Sequence, residues 1–401
     1  MSTFEEIINT CKKEWACPDL MESVNKASGR KIPFSSPTLN WATYGGIPRN
    51  AITEFYGEPN GGKSTTAIDV CKNALDLFTE EYNQEVQELE EKASQKKEYK
   101  IQLTDLKDRG VKKILYVDLE HAFDRKWART LGVTNKSIDI MQPPDIAAEL
   151  LLNKIIALIE TDELGLVVLD SIPSLQPKAK LEKQLGERTV AQLAGLMTDF
   201  CVRVIPLLRR YDCTMIFINQ LRDNMDNPYV DQTPGGQAIK FYASLRLSFK
   251  KDCPIDFLGG DLPQKAENPA GYKIKVTLKK QKSAPFDRKV ATYFLLAQSG
   301  LRVDYEYADL AIKQYGIIIK SGGWFTICDP KTKEPLERNG SIVKINGLAK
   351  VYDFIQNNEE WYSETREVIN ANMTQVELDG FDDEDEDQET EVAEALPEYT
   401  K

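Results

Sequence analysis

The chain has 401 residues, 41% of them hydrophobic and 28% charged, with a formal net charge of −12. That length holds one large α/β domain with appendages, or two domains, and the composition is ordinary for a soluble globular protein. No apolar run reaches membrane-spanning length, Met1–Glu6 lacks the parts of a secretion signal, and the seven cysteines include no Cys-x-x-Cys pair; this argues against a membrane protein, a secreted one and a zinc ribbon, and for a cytoplasmic chain with reduced thiols.

Residues 1–30 read as a short helical segment with an oligomerising role. From Pro33 to about Leu301 strand-like and helix-like stretches alternate, the pattern of a mostly parallel sheet flanked by helices, so residues 31–301 form the core. The apolar run Ala51–Tyr56 leads into Gly57-Glu58-Pro59-Asn60-Gly61-Gly62-Lys63-Ser64, and an amphipathic helix follows from Thr65. Such glycines let successive N–H groups turn toward phosphates, while Lys63 is placed for the β/γ oxygens and the Ser64 hydroxyl for Mg²⁺. The helix adds the positive end of its dipole. Strand, loop and helix together predict a nucleoside-triphosphate site.

Residues 79–108 interrupt the core with a highly charged segment in which Tyr82, Val86 and Leu89 form a narrow stripe. The spacing predicts a helix or helical hairpin projecting from the domain. Core strands are expected at Ile114–Asp118, Gly165–Asp170 and Thr214–Asn219, the last two apolar enough for burial on both faces. Others are expected at Leu245–Phe249, Tyr272–Lys279 and Ala291–Ala297. Residues 302–365 read as a small C-terminal α+β region, and 366–401 as an acidic disordered tail. Residues 376–401 hold twelve Asp/Glu and one Lys, so the tail carries −11 and the remaining chain is near neutral.

Hydrolysis needs a metal-orienting acid and a water-activating group besides the loop. Asp170 ends one apolar strand and suits the Mg²⁺ shell with Ser64. Glu120 follows another and is placed to polarise water, and Gln220 caps a third, where its amide can bond the γ-phosphate and relay its presence onward.

Four stretches carry a family resemblance: the nucleotide loop, Asp118-x-Glu120-His-Ala-x-Asp124, Phe217-Ile-Asn-Gln220, and Gly235-Gly236-x-Ala-x-Lys240-Phe241-Tyr-Ala-Ser-x-Arg246. In these the chain resembles the bacterial RecA family of homologous recombinases over roughly residues 30–330. The resemblance implies an α/β RecA-like P-loop NTPase core, with ATP as nucleotide and Mg²⁺ as metal. It makes Glu120 the catalytic carboxylate and Gln220 the coupler of ATP to DNA. Asp124 and Trp127 fall at the adenine site, with Trp where the family normally has Tyr. Lys240, Phe241 and Arg246 would meet the neighbouring subunit's nucleotide. Lys280 and Lys282 match the family's paired γ-phosphate lysines, one residue closer to Pro285 than usual, and Lys279 is the other choice.

The same resemblance puts Val190, in a first DNA loop near Gln184–Val190, as a wedge between bases. In a second loop, from Leu221 to Gly236, it puts Arg222 on DNA; Tyr229 is a stacking candidate there, and Gly235 and Gly236 close the loop. Asp223, Asp226 and Asp231 outnumber Arg222, so backbone N–H groups would have to meet phosphates. The implied function is an ATP-dependent recombinase that forms helical filaments on single-stranded DNA and pairs it with homologous duplex DNA. Single-strand-binding or loader proteins are further expected partners, and a membrane is not. A recombination mediator without strand exchange, a hexameric DnaB-like helicase and a non-enzymatic scaffold are the rival readings.

Overall fold

The computed structural model describes residues 30–93, 96–134, 138–181, 192–221, 233–285 and 287–378. A short antiparallel pair, β1 (Lys31–Ile32) and β2 (Ile47–Pro48), flanks α1 (Pro37–Thr43). The central sheet takes β3 (Ile52–Gly57), β4 (Lys113–Asp118), β5 (Asp139–Met141), β6 (Leu164–Asp170), β7 (Thr214–Gln220), β8 (Leu245–Ile255), β9 (Gly271–Gln281), β10 (Val290–Leu296) and β11 (Gly300–Leu301). Their spatial order is β11-β10-β9-β8-β3-β7-β6-β4-β5. The run from β8 to β5 is parallel throughout, and β9, β10 and β11 extend it as an antiparallel edge.

Helices cover both faces because the central strands are apolar on both. On one face α2 (Lys63–Ala93) lays Ala67, Val70, Cys71, Ala74 and Phe78, a helical stripe, against Tyr116, Val168 and Ile216. On the other, α5 (Ala148–Ile159) and α7 (Gln192–Arg210), with the single turn α6 (Lys178–Leu181) between them in the chain, pack Leu152, Ile155, Phe200 and Val204 against Val117, Val167, Leu169 and Phe217.

Past Phe78 the helix outruns the sheet. It packs against α3 (Lys97–Arg109), with Tyr82, Val86 and Leu89 half-buried and Leu106 buried, and Lys107 pairs with Glu90 at 2.7 Å. The charged segment is thus two long helices lying side by side.

The C-terminal region has its own apolar core. A sheet of β12 (Ile318–Ser321), β13 (Trp324–Ile327) and β16 (Lys344–Asn346) lies beside a small ladder of β14 (Glu337–Arg338) and β15 (Ser341–Ile342). Around them pack α9 (Val303–Lys313), α10 (Leu348–Asn357) and α11 (Glu359–Leu378). That last helix continues beyond the boundary at 365 expected from charge, because Trp361, Thr365 and Ile369 form a buried stripe along it. The acidic run at 382–387 and the N-terminal segment 1–29 lie outside the described residues. Glu306 of α9 is fully buried against α1, accepting from the Ser36 hydroxyl at 2.7 Å, the Thr38 amide at 2.8 Å and the Thr38 hydroxyl at 2.5 Å. Among the described residues no helix is long and apolar enough to cross a membrane.

Candidate nucleotide site

Gly57 and Gly62 bracket the loop in backbone conformations that side chains avoid, at φ +147° and +92°. A Cβ on Gly57 would lie 2.1 Å from the Phe249 carbonyl oxygen of β8, and one on Gly62 2.6 Å from the Tyr293 hydroxyl. Glu58, Pro59 and Asn60 are exposed, Gly61 and Gly62 buried, and Ser64 and Thr65 half-buried on the first turn of α2. Lys63 is 7% exposed, and its ammonium donates to the Gly57 carbonyl at 3.1 Å and the Glu58 carbonyl at 2.7 Å. Burial lowers its pKa, against the pull of Asp170, Glu120 and Glu58. The ammonium therefore sits inside the loop's concave side, beside carboxylates, where an anion would replace backbone carbonyls as its partner.

Strand order brings the remaining polar groups to the same edge. Gln220 is in register with Gly57, and Asp170 with Asp118, so β3, β7, β6 and β4 end side by side. Asp170 Oδ2 accepts from the Ser64 hydroxyl at 2.8 Å and the buried Tyr116 hydroxyl at 2.6 Å. Burial raises the Asp170 pKa, the two hydroxyls oppose this, and the charges of Glu120 and Asp118 add to it. A hydroxyl and a carboxylate this close make a hard-oxygen pair suited to a divalent cation. Among the described residues no three or more His, Cys, Asp or Glu are placed to hold a metal ion together, so such a cation would rely on phosphate and water oxygens for its other ligands.

Glu120 Oε1 accepts from the Ser171 hydroxyl at 2.5 Å and from the Gln220 amide at 2.9 Å. Asp118 folds the turn that carries it, accepting from the amides of Glu120 at 3.2 Å and Phe123 at 2.8 Å and from the Gln142 side chain at 2.8 Å. The roles of Ser171, Tyr116 and Asp118 were missed in the sequence. Their signal was a polar residue within or just after an apolar strand. On the next helix, α4 (Arg125–Thr130), Asp124 is the N-cap, bonding the Lys126 and Trp127 amides at 2.7 and 3.2 Å. The Trp127 indole donates to the Thr65 hydroxyl at 3.2 Å, so its ring lies beside the loop's helix.

Lys240, Phe241, Arg246, Lys280 and Lys282 do not join this cluster. They gather at the opposite edge of the sheet, where β3 begins: the Ser244 amide donates to the Ile52 carbonyl at 2.8 Å, and Arg246 faces Glu54 on one side and Lys280 on the other. Along β3, Ser244 and Lys282 lie level with Ile52, about 17 Å from Gly57 at strand rise, and Arg246 and Lys280 level with Glu54, about 10 Å from it. Lys240 and Phe241 end the short helix α8 (Gly236–Tyr242). The Lys280 ammonium donates to their carbonyls at 2.6 and 2.7 Å, and Lys282 to that of Phe241 at 2.9 Å, whereas Lys279 is exposed. Burial, with the cations Lys282 and Arg246 nearby, brings the Lys280 pKa down to about 8. Phe241 is 70% exposed, and both amide atoms of Gln281 are buried without a hydrogen-bond partner. Gly235 (φ +89°) and Gly236 (φ +78°) turn the chain into α8. Val190, Arg222 and Tyr229 lie outside the described residues.

A phosphate loop on a central strand of a mostly parallel sheet, with acids and an amide on the adjoining strand ends, defines the P-loop NTPases with a RecA-like core. The RecA N-terminal domain model matches residues 92–301. Protein RecA of Chlorobium limicola is 30% identical over 345 residues, 85% of this chain and 85% of the relative. Protein RecA of Porphyromonas gingivalis is 32% identical over 320 residues (79% and 80%), and that of Bifidobacterium longum 32% over 320 (79% and 69%). The chain belongs to the RecA family. It is a RecA-type recombinase and a DNA-dependent ATPase.

Proposed function

We propose that this chain binds ATP between adjacent subunits of a helical filament on single-stranded DNA, and that each subunit supplies half of the chemistry. In this reading Gly57–Thr65 cradle the phosphates, Lys63 neutralises them, and Trp127 and Asp124 meet the adenine. Ser64 and Asp170 would hold Mg²⁺, whose role is to screen phosphate charge. Glu120 orients and deprotonates the attacking water, with Ser171 fixing its carboxylate. Gln220 trades its bond to Glu120 for one to the γ-phosphate and so reports nucleotide to the segment that follows β7. That segment, with Arg222, Tyr229, Gly235 and Gly236, would meet DNA together with Val190. Base pairing with a homologous duplex then supplies specificity.

One observation carries this reading: Lys280, Lys282, Lys240, Phe241 and Arg246 gather along the start and middle of β3 and the strands beside it, away from the strand end that carries the chain's own loop. Their cations can complete only another subunit's site, through a head-to-tail contact that repeats into a filament. The exposed Phe241 ring and the unpaired Gln281 amide on that edge support the same contact. The test is electron microscopy with single-stranded DNA and a slowly hydrolysed ATP analogue, alongside ATP turnover with and without DNA. Filaments that need both ligands, and turnover raised by DNA, are expected; a monomer indifferent to both would overturn the reading.

A further inference from the structure

Glu54 is a charged side chain in the middle of the central strand, 0% exposed and between helix-covered faces. Its two oxygens go to different places. Oε2 accepts from the Arg246 guanidinium at 2.5 Å, and Oε1 from the Asn219 amide at 2.9 Å. The same Asn219 nitrogen donates to the Pro234 carbonyl at 2.9 Å, and Asn219 Oδ1 accepts from the Gln220 backbone amide at 3.0 Å. Arg246 in turn faces Lys280 across the β8–β9 ladder and stacks on Tyr56, 4.8 Å from its ring centroid.

These contacts span α8 from end to end. Its first residue follows Pro234 and Gly235, where Asn219 holds the Pro234 carbonyl, and its last carbonyls are held by Lys280 and Lys282. Those ammonium groups cannot cap α8 and meet a phosphate with the same protons, so a phosphate arriving from a neighbour competes directly with the helix. An isolated carboxylate here would be costly, and one joined to a single partner would only anchor a strand. This one joins two.

We propose that Glu54 is a positioning residue that couples the cationic edge, and so the nucleotide of the adjoining subunit, to the stem of the segment between Gln220 and Gly235. The idea rests on the shared-site reading above. That segment then answers to two nucleotides: the chain's own through Gln220, and the neighbour's through Lys280, Arg246, Glu54 and Asn219. When the neighbour's triphosphate draws Lys280 and Lys282 off α8, the helix is freed at its C-terminus. Glu54 keeps Arg246 and Asn219 in step, so the stem moves with the edge.

The experiment uses the full chain with Glu54→Gln, and separately Asn219→Leu, which keeps buried volume while removing the amide. Three readouts are taken: binding of a fluorescent ATP analogue without DNA, DNA-stimulated turnover, and the Hill coefficient of that turnover in ATP. Expected are unchanged analogue affinity, stimulation reduced tenfold or more, and a Hill coefficient falling toward one. Wild-type stimulation and cooperativity in a folded Glu54→Gln protein would overturn the coupling. So would equal losses in all three readouts, or failure of both variants to reach the wild-type circular dichroism, since Glu54 would then serve the fold alone. If the wild-type protein itself shows no stimulation by DNA, it is the shared-site reading that fails.

Discussion

Glu120 sits where a small change in chemistry separates binding from turnover. Gln at this position keeps an oxygen for Ser171 and Gln220 but cannot take a proton, so the site geometry persists while the water loses its base. Glu120→Gln should bind nucleotide normally and hydrolyse it roughly 10²–10⁴-fold more slowly, read by single-turnover hydrolysis. Lys63→Ala should instead lose nucleotide affinity, because its ammonium is the cation inside the loop. Glu306 makes a different residue-scale case. Burial lifts its carboxyl from the ordinary 4.5 to about 7, although three donors on α1 oppose the shift. The folded state therefore holds a proton between those values that the unfolded chain has released. The stability tied to it is complete below about 4.5 and lost as pH rises through about 7. Glu306→Gln keeps an acceptor for Ser36 and Thr38 without the charge. It should remove this slope and gain roughly 1–3 kcal/mol over wild type at pH 8, measured by urea unfolding at pH 5 and pH 8. An unchanged slope would mean that the pH dependence arises elsewhere.

At the scale of an element, the phosphate loop depends on what lies behind it as much as on its own glycines. Gly62 has a positive φ and faces the Tyr293 hydroxyl, which also meets the Thr66 hydroxyl at 2.7 Å. Gly62→Ala should cost about 1–3 kcal/mol of stability from backbone strain and the clash together. Adding Tyr293→Phe removes the clashing oxygen but not the strain, so the pair should recover part of the loss in a double-mutant cycle of urea midpoints. No recovery would assign the whole cost to the backbone. The paired helices α2 and α3 are an element of another kind. Their apolar contact is narrow, so the charged segment stands as an appendage to the core and not as part of it.

For the whole molecule, the decisive feature is polarity: phosphate loop at one edge of the sheet, cations at the other. Lys63→Ala and Lys280→Ala/Lys282→Ala should each be inactive alone. Mixed, the first supplies lysines to the intact loop of the second, so DNA-dependent turnover should reappear, up to about a quarter of wild type for random head-to-tail mixing. A site complete within one chain would give no recovery on mixing.

Much of this was legible in the chain because it is local. A Gly-x4-Gly-Lys-Ser run between an apolar strand and a helix predicts its own geometry, and apolar strands ending in Glu120, Asp170 and Gln220 announce a polar edge. The spacing of Tyr82, Val86 and Leu89 likewise announces helix in the charged segment, as one helix or a hairpin. What only tertiary structure decided was which distant residues meet. Glu54 and Arg246 are 192 positions apart and Ser36 and Glu306 270, and no periodicity links them. The same holds for the two edges. Lys280 and Lys63 look like members of one cationic set until sheet order and register put Lys280 two strands from β3 and level with Glu54, while Lys63 follows the far end of that strand. Backbone propensity acts over a few residues, whereas the pairing of strands, which sets the side on which a charge emerges, is settled by burial across the whole sheet.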